Sequence, residues 1–94
     1  MHEVSFHKRA LRSLRKIPTA RQSQIMAAIK ELSETEDPTT HRNVRQMTGD
    51  WDGHWRMRVG DYRVIFQLRP LDPEGDEERF HIYITHIGTR GDVY

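Results

Sequence analysis

Three arginines in the second half of the chain have a spacing that could bring their side chains together. Arg56 and Arg58 lie two positions apart, and Arg63 follows a Gly60-Asp61 pair. Residues two apart in a β-strand point to the same side of the sheet, so Arg56 and Arg58 share one face. That face must be the solvent side, because burying unpaired guanidinium groups is very costly. Guanidinium groups suit phosphate binding, since their donors match two phosphate oxygens at once.

Two strands joined by a tight turn must position these arginines. Apolar residues alternate with polar ones on both sides of Gly60-Asp61, which is a good two-residue loop for a β-hairpin. Arg63 then lies across the hairpin from Arg56 and Arg58. Three like charges on one face repel each other, and a phosphate backbone would relieve that repulsion. The alternative is a hairpin that is charged only for solubility, which ordinarily mixes signs. The predicted core side is Trp55, Met57, Val59, Val64, Phe66 and Leu68.

The start of the chain predicts a strand followed by a helix. Residues 2–6 alternate polar and apolar side chains, with Val4 and Phe6 on one side, as in a short strand. Residues 8–16 have helical spacing with basic residues on the outer side, and Pro18 stops this helix. Its inward stripe is Ala10, Leu11, Leu14 and Ile17.

A second helix is predicted after Pro18. Thr19 and Gln22 match a capping box, in which each side chain would satisfy the other residue's backbone amide. The helix ends before Pro38, and its inward stripe is Ile25, Ile29 and Leu32. The two helices therefore form a helical hairpin.

The remaining segments complete the predicted fold. Residues 37–53 read as an irregular connection, residues 70–78 as a long acidic turn with no assigned role, and residues 80–87 as a further strand. The order β-α-α-β-β-β predicts an α+β fold. In it, the helical hairpin packs on one face of a mainly antiparallel four-stranded sheet, within a single domain over residues 1–94.

Composition narrows the possible classes of protein. The chain has 94 residues, 35% of them apolar and 31% charged, and a mean hydropathy of −0.84. The lack of cysteine excludes disulfides, a thiolate nucleophile and Cys-ligated metal sites. No apolar stretch approaches the roughly 18–20 residues that span a bilayer, and the first residues lack a secretory apolar region. We therefore expect a small cytoplasmic domain without a membrane partner.

Charge is distributed unevenly, although the formal net charge is only +1. Residues 1–30 carry seven Lys or Arg against one Glu, and residues 54–69 carry four Arg against one Asp. Such local fields matter more for nucleic-acid binding than the total charge. The basic side of the first helix is either a solvated surface or an RNA contact, and it consists of Lys8, Arg9, Arg12, Arg15 and Lys16.

Histidine and tryptophan offer weaker candidates. No pair of histidines has metal-ligand spacing on one element, so no metal site is expected. His54 or His81 could act as an auxiliary acid or base, because histidine titrates near neutral pH. Strand alternation places His86 on the side of Ile82 and Ile84. Trp51 and Trp55 could stack on RNA bases, although alternation favours packing for Trp55.

Several segments together resemble one family of proteins. W-R-M-R-V-G-D-Y-R-V-I-F at 55–66, I-G-T-R-G-D-V-Y at 87–94 and V-R-Q-M-T-G at 44–49 resemble the RelE family, within the RelE/ParE superfamily of type II toxin–antitoxin toxins. The resemblance covers nearly the whole chain. It implies a metal-independent mRNA endoribonuclease without a cofactor. Such an enzyme commonly cleaves messenger RNA in the ribosomal A site, is held inactive by a cognate antitoxin and inhibits translation.

The resemblance also implies roles for individual residues. Arg56 and Arg58 stand where RelE toxins often have lysines that contact RNA phosphates. Arg63 matches the arginine that holds the scissile phosphate, and Arg90 the one that stabilises the leaving group or transition state. Tyr94 matches a tyrosine proposed as general base or orienting group. Arginine keeps its proton at all accessible pH values, so Arg56 and Arg58 cannot serve as bases.

Two other functions share this fold. One is a ParE-like protein that poisons DNA gyrase by protein contacts, and the other is an inactive module that only binds the antitoxin. The presence of Arg63, Arg90 and Tyr94 favours the ribonuclease.

Overall fold

Two helices and five strands make up the described part of the chain. The computed structural model describes residues 1–71, 75 and 79–89. The helices are α1 (Lys8–Arg15) and α2 (Thr19–Glu34), and the strands are β1 (Glu3–Phe6), β2 (Val44–Gln46), β3 (Trp55–Val59), β4 (Tyr62–Pro70) and β5 (Phe80–Thr89). None of the helices formed by these residues is long and apolar enough to cross a membrane.

All five strands form one sheet in the order β1-β5-β4-β3-β2. β1 runs parallel to β5, and the other neighbours are antiparallel. The α+β class and the mainly antiparallel sheet are thus confirmed, but the predicted number of four strands is wrong. The additional strand, β2, lies within the predicted irregular connection. Its three residues are too few for alternation to be visible in the sequence.

The predicted β-hairpin is present with the predicted turn. Val59 pairs with Tyr62 across Gly60 and Asp61. Gly60 has a φ of 59°, and Asp61 has no positive φ, which matches a type II′ turn. Only glycine adopts that φ without strain, so Gly60 sets the register that brings Arg58 opposite Arg63.

Both helices pack on one face of the sheet, as predicted. α1 contributes Ala10 and Leu14 to the core, and α2 contributes Ile25, Ile29 and Leu32. These side chains meet apolar residues that alternate along the strands, and the sheet face opposite the helices is left for polar side chains. The strand residues of this core are Val44, Met57, Val59, Val64, Phe66, Ile82, Ile84 and Ile87.

The capping box predicted at the start of α2 is not formed. Pro18 occupies the N-cap position, so no side chain caps the helix there. Thr19 is already the first helical residue, and Gln22 Nε2 instead donates to the carbonyl oxygen of Ile17 at 2.7 Å. Gln22 therefore ties α2 to the end of α1. The capping-box motif gave a wrong prediction because Pro18, the residue before Thr19, occupies the N-cap position.

A β-bulge in β5 changes which residues face the core. Phe66 pairs with Ile84 and Ile65 with His86, so Thr85 has no partner in the β4–β5 ladder. The hydroxyl of Thr85 donates to the carbonyl oxygen of Ile65 at 3.2 Å. An extra residue shifts the alternation by one, so Ile87 enters the core and His86 faces away from it. The prediction that His86 shares a side with Ile82 and Ile84 is therefore wrong.

Candidate nucleic-acid interface

Four of the arginines on the sheet face opposite the helices lie in neighbouring positions on β2, β3 and the start of β4. Arg58 is directly opposite Arg63 in the β3–β4 hairpin, and Arg45 is directly opposite Arg56 in the β2–β3 ladder. Because paired residues in a sheet point to the same side, all four side chains share this surface. We call it the arginine face. The structure thus brings the predicted residues Arg56, Arg58 and Arg63 together, and adds Arg45.

The arginine face holds more positive charge than the neighbouring side chains offset. No carboxylate among residues 1–71, 75 and 79–89 forms an ion pair with Arg45, Arg58 or Arg63. Arg45 donates through Nη1 to the carbonyl oxygens of Val44 at 2.8 Å and Arg42 at 3.1 Å. Those bonds keep the Arg45 guanidinium close to its own strand, while Arg58 is exposed. The positive charge of Arg58 is therefore accessible to an anionic ligand.

Arg63 is held differently from its neighbour across the hairpin. Its side chain is half-buried, and Nη1 donates to the carbonyl oxygen of Tyr62 at 3.3 Å. Its Nε is buried and has no acceptor among the residues that the structure describes. A buried donor without a partner costs roughly 1–3 kcal/mol. Arg63 is thus positioned by the protein while part of its donor capacity is unused.

A small apolar cluster covers the neighbouring part of the same sheet face. Met47 and Ile65 are buried there, and Trp51 packs against them from the loop before β3. The Trp51 ring meets His54 and His86 edge-on, with centroid distances of 5.4 Å and 4.8 Å. Trp51 is therefore a packing residue that supports the arginine face. Trp55 packs against the main core, as alternation indicates.

His86 lies beside the arginines because of the bulge in β5. It pairs with Ile65, two residue pairs along the β4–β5 ladder from Arg63 and Gly88. Burial lowers the pKa of His86, and the nearby charges of Arg9, His54 and His7 lower it further. His86 Nδ1 lies 2.9 Å from the hydroxyl oxygen of Thr85.

The two histidines that the sequence singled out occupy different places. His54 is half-buried beside Trp51, and its Nδ1 is buried without a partner. His81 lies five residues before His86 on β5, where its Nε2 is 2.6 Å from the hydroxyl oxygen of Ser5. Residues in a strand are about 3.4 Å apart, so His81 is far from the arginine face.

A groove separates α1 from the C-terminal half of β5. It has a volume of about 420 Å³ and is lined from the helix side by Arg9, Ser13 and Lys16. His86 and Gly88 line it from the sheet side. We call it the α1–β5 groove. Arg9 bridges its two walls, because its Nε donates to the carbonyl oxygen of Thr85 at 3.3 Å.

The basic residues of α1 divide into two groups. Lys8, Arg12 and Arg15 are exposed, as expected, but do not line the α1–β5 groove. Arg9 and Lys16 do line it. The direction in which each basic residue points from the helix axis, relative to the buried Ala10 and Leu14, follows from the sequence. Which of these directions faces the groove depends on the packing of α1 beside β5. The described structure assigns no ligand to either group.

Two predicted site residues, Arg90 and Tyr94, lie outside the described residues. β5 ends at Thr89, which pairs with Tyr62 next to Arg63. Sequence reasoning missed Arg45 and did not propose His86, whereas Arg9 and Lys16 were among the basic residues of the first helix that it named. For Arg45 the signal was present, since it follows the apolar Val44 just as Arg58 follows Met57.

Comparison with known proteins identifies the family. A family model described as the ParE toxin of type II toxin–antitoxin systems, parDE, matches residues 4–94. The chain belongs to this ParE toxin family. The resemblance to the RelE/ParE superfamily is thereby confirmed, and the protein is a toxin of a type II toxin–antitoxin system. No curated protein sequence matches this ParE-family toxin.

Solved structures show the same fold. The RelE–RelB complex from Pyrococcus horikoshii OT3 matches this toxin with 25% identity and a TM-score of 0.68, over 96% of both chains. The RelB–RelE antitoxin–toxin complex from Methanococcus jannaschii matches with 20% identity and a TM-score of 0.67, over 95% of this chain and 93% of that chain. The intact E. coli RelBE complex matches with 19% identity and a TM-score of 0.67, over 95% of this chain and 96% of that chain.

Proposed function

We propose that this ParE-family toxin is an endoribonuclease that cleaves messenger RNA at the arginine face. The observation that carries the proposal is the pair formed by Arg58 and Arg63, which lie directly opposite each other in the hairpin. Like charges in such a pair destabilise a sheet, and the described carboxylates do not neutralise them. A phosphate between the two guanidinium groups would turn this repulsion into binding.

The proposed reaction is attack by a ribose 2′-OH on the adjacent phosphate. The 2′-oxygen forms a bond to phosphorus, the bond to the 5′-oxygen breaks, and the products are a 2′,3′-cyclic phosphate and a 5′-hydroxyl. One proton leaves the 2′-OH and one reaches the 5′-oxygen, so the step balances. By family resemblance, the reaction uses no metal and no cofactor. The transition state carries extra negative charge on the phosphate oxygens, and fixed cations stabilise that charge.

Each arginine can have a separate role in this reaction. Arg63 would hold the scissile phosphate, because Tyr62 positions it and it retains unused donor capacity. Arg56 and Arg58 would bind the flanking phosphates but cannot move protons. By family resemblance, Arg90 would stabilise the leaving group and Tyr94 would act as base or orienting group.

The proposed partners follow from the same resemblance. The RelE chains that share this fold were solved with RelB antitoxins. We expect a cognate antitoxin to hold this toxin inactive. We further expect its substrate to be mRNA in the ribosomal A site, with Lys8, Arg12 and Arg15 of α1 as candidate contacts to ribosomal RNA. Both expectations place the toxin in the cytoplasm.

Poisoning of DNA gyrase is the second candidate function. The matching family model is named for ParE toxins, and ParE-like gyrase inhibitors share this fold. A gyrase inhibitor acts through protein contacts and has no need of opposed arginines on a sheet face. The arginine face therefore favours the ribonuclease.

Primer extension on mRNA from a translating extract, run beside a gyrase supercoiling assay, separates the two functions. We expect new 5′ ends with the wild-type toxin and no inhibition of supercoiling. Arg63→Ala should abolish the new ends, while Arg21→Ala on α2 should keep them, because Arg21 is exposed on the helix layer. Loss of supercoiling activity without mRNA cleavage would instead assign the toxin to gyrase.

A further inference from the structure

The α1–β5 groove lies next to Arg63 of the arginine face. Gly88 lies opposite Arg63 in the β4–β5 ladder and also lines the groove. Because glycine has no side chain, nothing from that position separates Arg63 from the groove. His86 lines the groove two residues further along the strand, about 7 Å away. A ligand bound at Arg63 can therefore extend into the groove.

The lining of the groove favours an anion. Arg9 and Lys16 contribute two positive charges and Ser13 contributes a hydroxyl group, and none of the described residues that line the groove is acidic. Arg9 donates through Nε to the carbonyl oxygen of Thr85, which holds the side chain along the groove, and none of the described residues accepts a hydrogen bond from its terminal nitrogens. The volume of about 420 Å³ exceeds what an isolated water needs and falls in the range of about 300–1,000 Å³ typical of ligand sites.

We infer that the α1–β5 groove binds the phosphate of a nucleotide neighbouring the linkage held at Arg63. The inference rests on the proposed function, since it takes single-stranded RNA as the ligand. Lys16 and Arg9 would contact this second phosphate, and Ser13 would donate to it. The groove would thus set the path of the RNA strand across the sheet and out along α1.

Binding of a non-cleavable RNA strand tests the inference. A 2′-O-methyl oligonucleotide of mixed sequence lacks the attacking hydroxyl, so its affinity can be measured by fluorescence anisotropy over a series of salt concentrations. Each phosphate contact on a single strand contributes about 0.7 to the slope of log K against log salt. We expect Lys16→Ala to weaken binding several-fold and to reduce the slope by about 0.7. Lys30→Ala, an exposed lysine on α2, should change neither quantity.

A second variant tests the groove without removing a cation. Ser13→Asp places a carboxylate beside Lys16 and should weaken binding by repelling the phosphate. Ser23→Asp on the exposed surface of α2 is the matched control. Thermal unfolding of each variant shows that it is folded, so weaker binding cannot be a loss of structure.

The outcomes separate this inference from the proposed function. If both groove variants bind the oligonucleotide with wild-type affinity and salt slope, the inference is overturned even when mRNA cleavage is observed. If the wild-type toxin does not cleave mRNA but Lys16→Ala still lowers the salt slope, the nuclease proposal fails and the groove remains an RNA site.

Discussion

Arg58 and Arg63 are neighbours that repel each other, and this repulsion should be measurable in the folded protein. We expect a double-mutant cycle with Arg58→Ala and Arg63→Ala to give an unfavourable coupling of about 0.2–1 kcal/mol at low salt. Screening should reduce it at 1 M salt, where the Debye length is only about 3 Å. Urea denaturation at both salt concentrations gives the coupling. A cycle between Arg58 and Arg21 should show none, and a favourable Arg58–Arg63 coupling would contradict the proposed role of this pair.

The role proposed for Tyr94 in RNA cleavage can be tested by removing its hydroxyl group. As general base or orienting group, its hydroxyl should be required, and acid–base groups typically contribute about 10²–10⁴-fold to rate. We expect Tyr94→Phe to lower the cleavage rate in the primer-extension assay by such a factor while binding of the non-cleavable oligonucleotide persists. Full cleavage activity in Tyr94→Phe would exclude this role.

His86 makes stability depend on pH. Its pKa is lowered in the folded protein by burial first, then by Arg9, His54 and His7. The unfolded chain, with a histidine pKa near 6.5, therefore binds more protons than the folded chain in the window below about 6.5. The contribution of His86 is fully present above that window and is lost as pH falls through the folded pKa. We expect His86→Asn to reduce the decrease in unfolding free energy between pH 7.5 and 5, measured by urea denaturation. An unchanged pH dependence would contradict this assignment.

At the level of elements, two local irregularities position the site. The positive φ of Gly60 sets the hairpin register, and the bulge at Thr85 turns His86 to the arginine face. The turn and the bulge both determine which side chains lie on the same face of the sheet. A change of one residue in strand pairing moves the following side chains to the opposite face. The arginine face thus depends on its turn and its bulge as much as on its arginines.

The turn can be tested by one substitution. Gly60 has a φ of 59° and open space around the position of a Cβ atom, so the cost of a side chain comes from the backbone alone. We expect Gly60→Ala to lower the free energy of unfolding by about 1 kcal/mol or more, and Gly60→Asn to cost less, since asparagine tolerates this conformation. Thermal unfolding measures both, with Asp61→Ala as the control. Equal stability of Gly60→Ala and wild type would contradict the turn assignment.

At the scale of the whole molecule, His2 joins segments that are distant in sequence. Its ring is buried, Nδ1 accepts from the backbone N–H of Phe80 at 3.0 Å, and Nε2 donates to the carbonyl oxygen of Thr35 at 2.7 Å. It therefore ties the start of the chain to the end of α2 and the start of β5. Sequence analysis gave it no role.

We expect His2→Ala to lower the free energy of unfolding by about 1–3 kcal/mol, because the partly buried backbone groups of Phe80 and Thr35 lose their partner. Urea denaturation measures this, and Glu3→Ala at an exposed neighbouring position should have little effect. A loss below about 0.5 kcal/mol, the size typical of surface substitutions, would show that His2 does not tie the fold together.

The two faces of the sheet carry different kinds of side chain in the described part of the chain. One carries the apolar residues and both helices, and the other carries the arginine face and the small cluster around Trp51. This separation leaves the arginine face free of the main core, so its residues can be changed without removing core contacts. It also places the α1–β5 groove at the edge where the helix layer meets the arginine face.

The amino-acid sequence determined those features that depend on local pattern. Alternation over residues 55–68 identified the β-hairpin, its turn and the shared face of Arg56, Arg58 and Arg63, because the period of two is a property of each strand by itself. Helical spacing likewise identified both helices and their inward stripes, except that Leu11 is not part of the core. The motifs at 44–49, 55–66 and 87–94 were specific enough to indicate the superfamily.

Only the tertiary structure decided the features that depend on partners distant in the chain. β2 exists because β3 offers it an edge, since a segment of three residues has no pattern of its own. The bulge at Thr85 results from the pairing of β5 with β4, so alternation within β5 placed His86 on the wrong side. Arg9 and Lys16 differ from the other basic residues of α1 only because the helix lies beside β5. Each segment by itself allows several local conformations, and long-range packing determines which of them is adopted. The groove beside Arg63 forms only once α1 has packed beside β5.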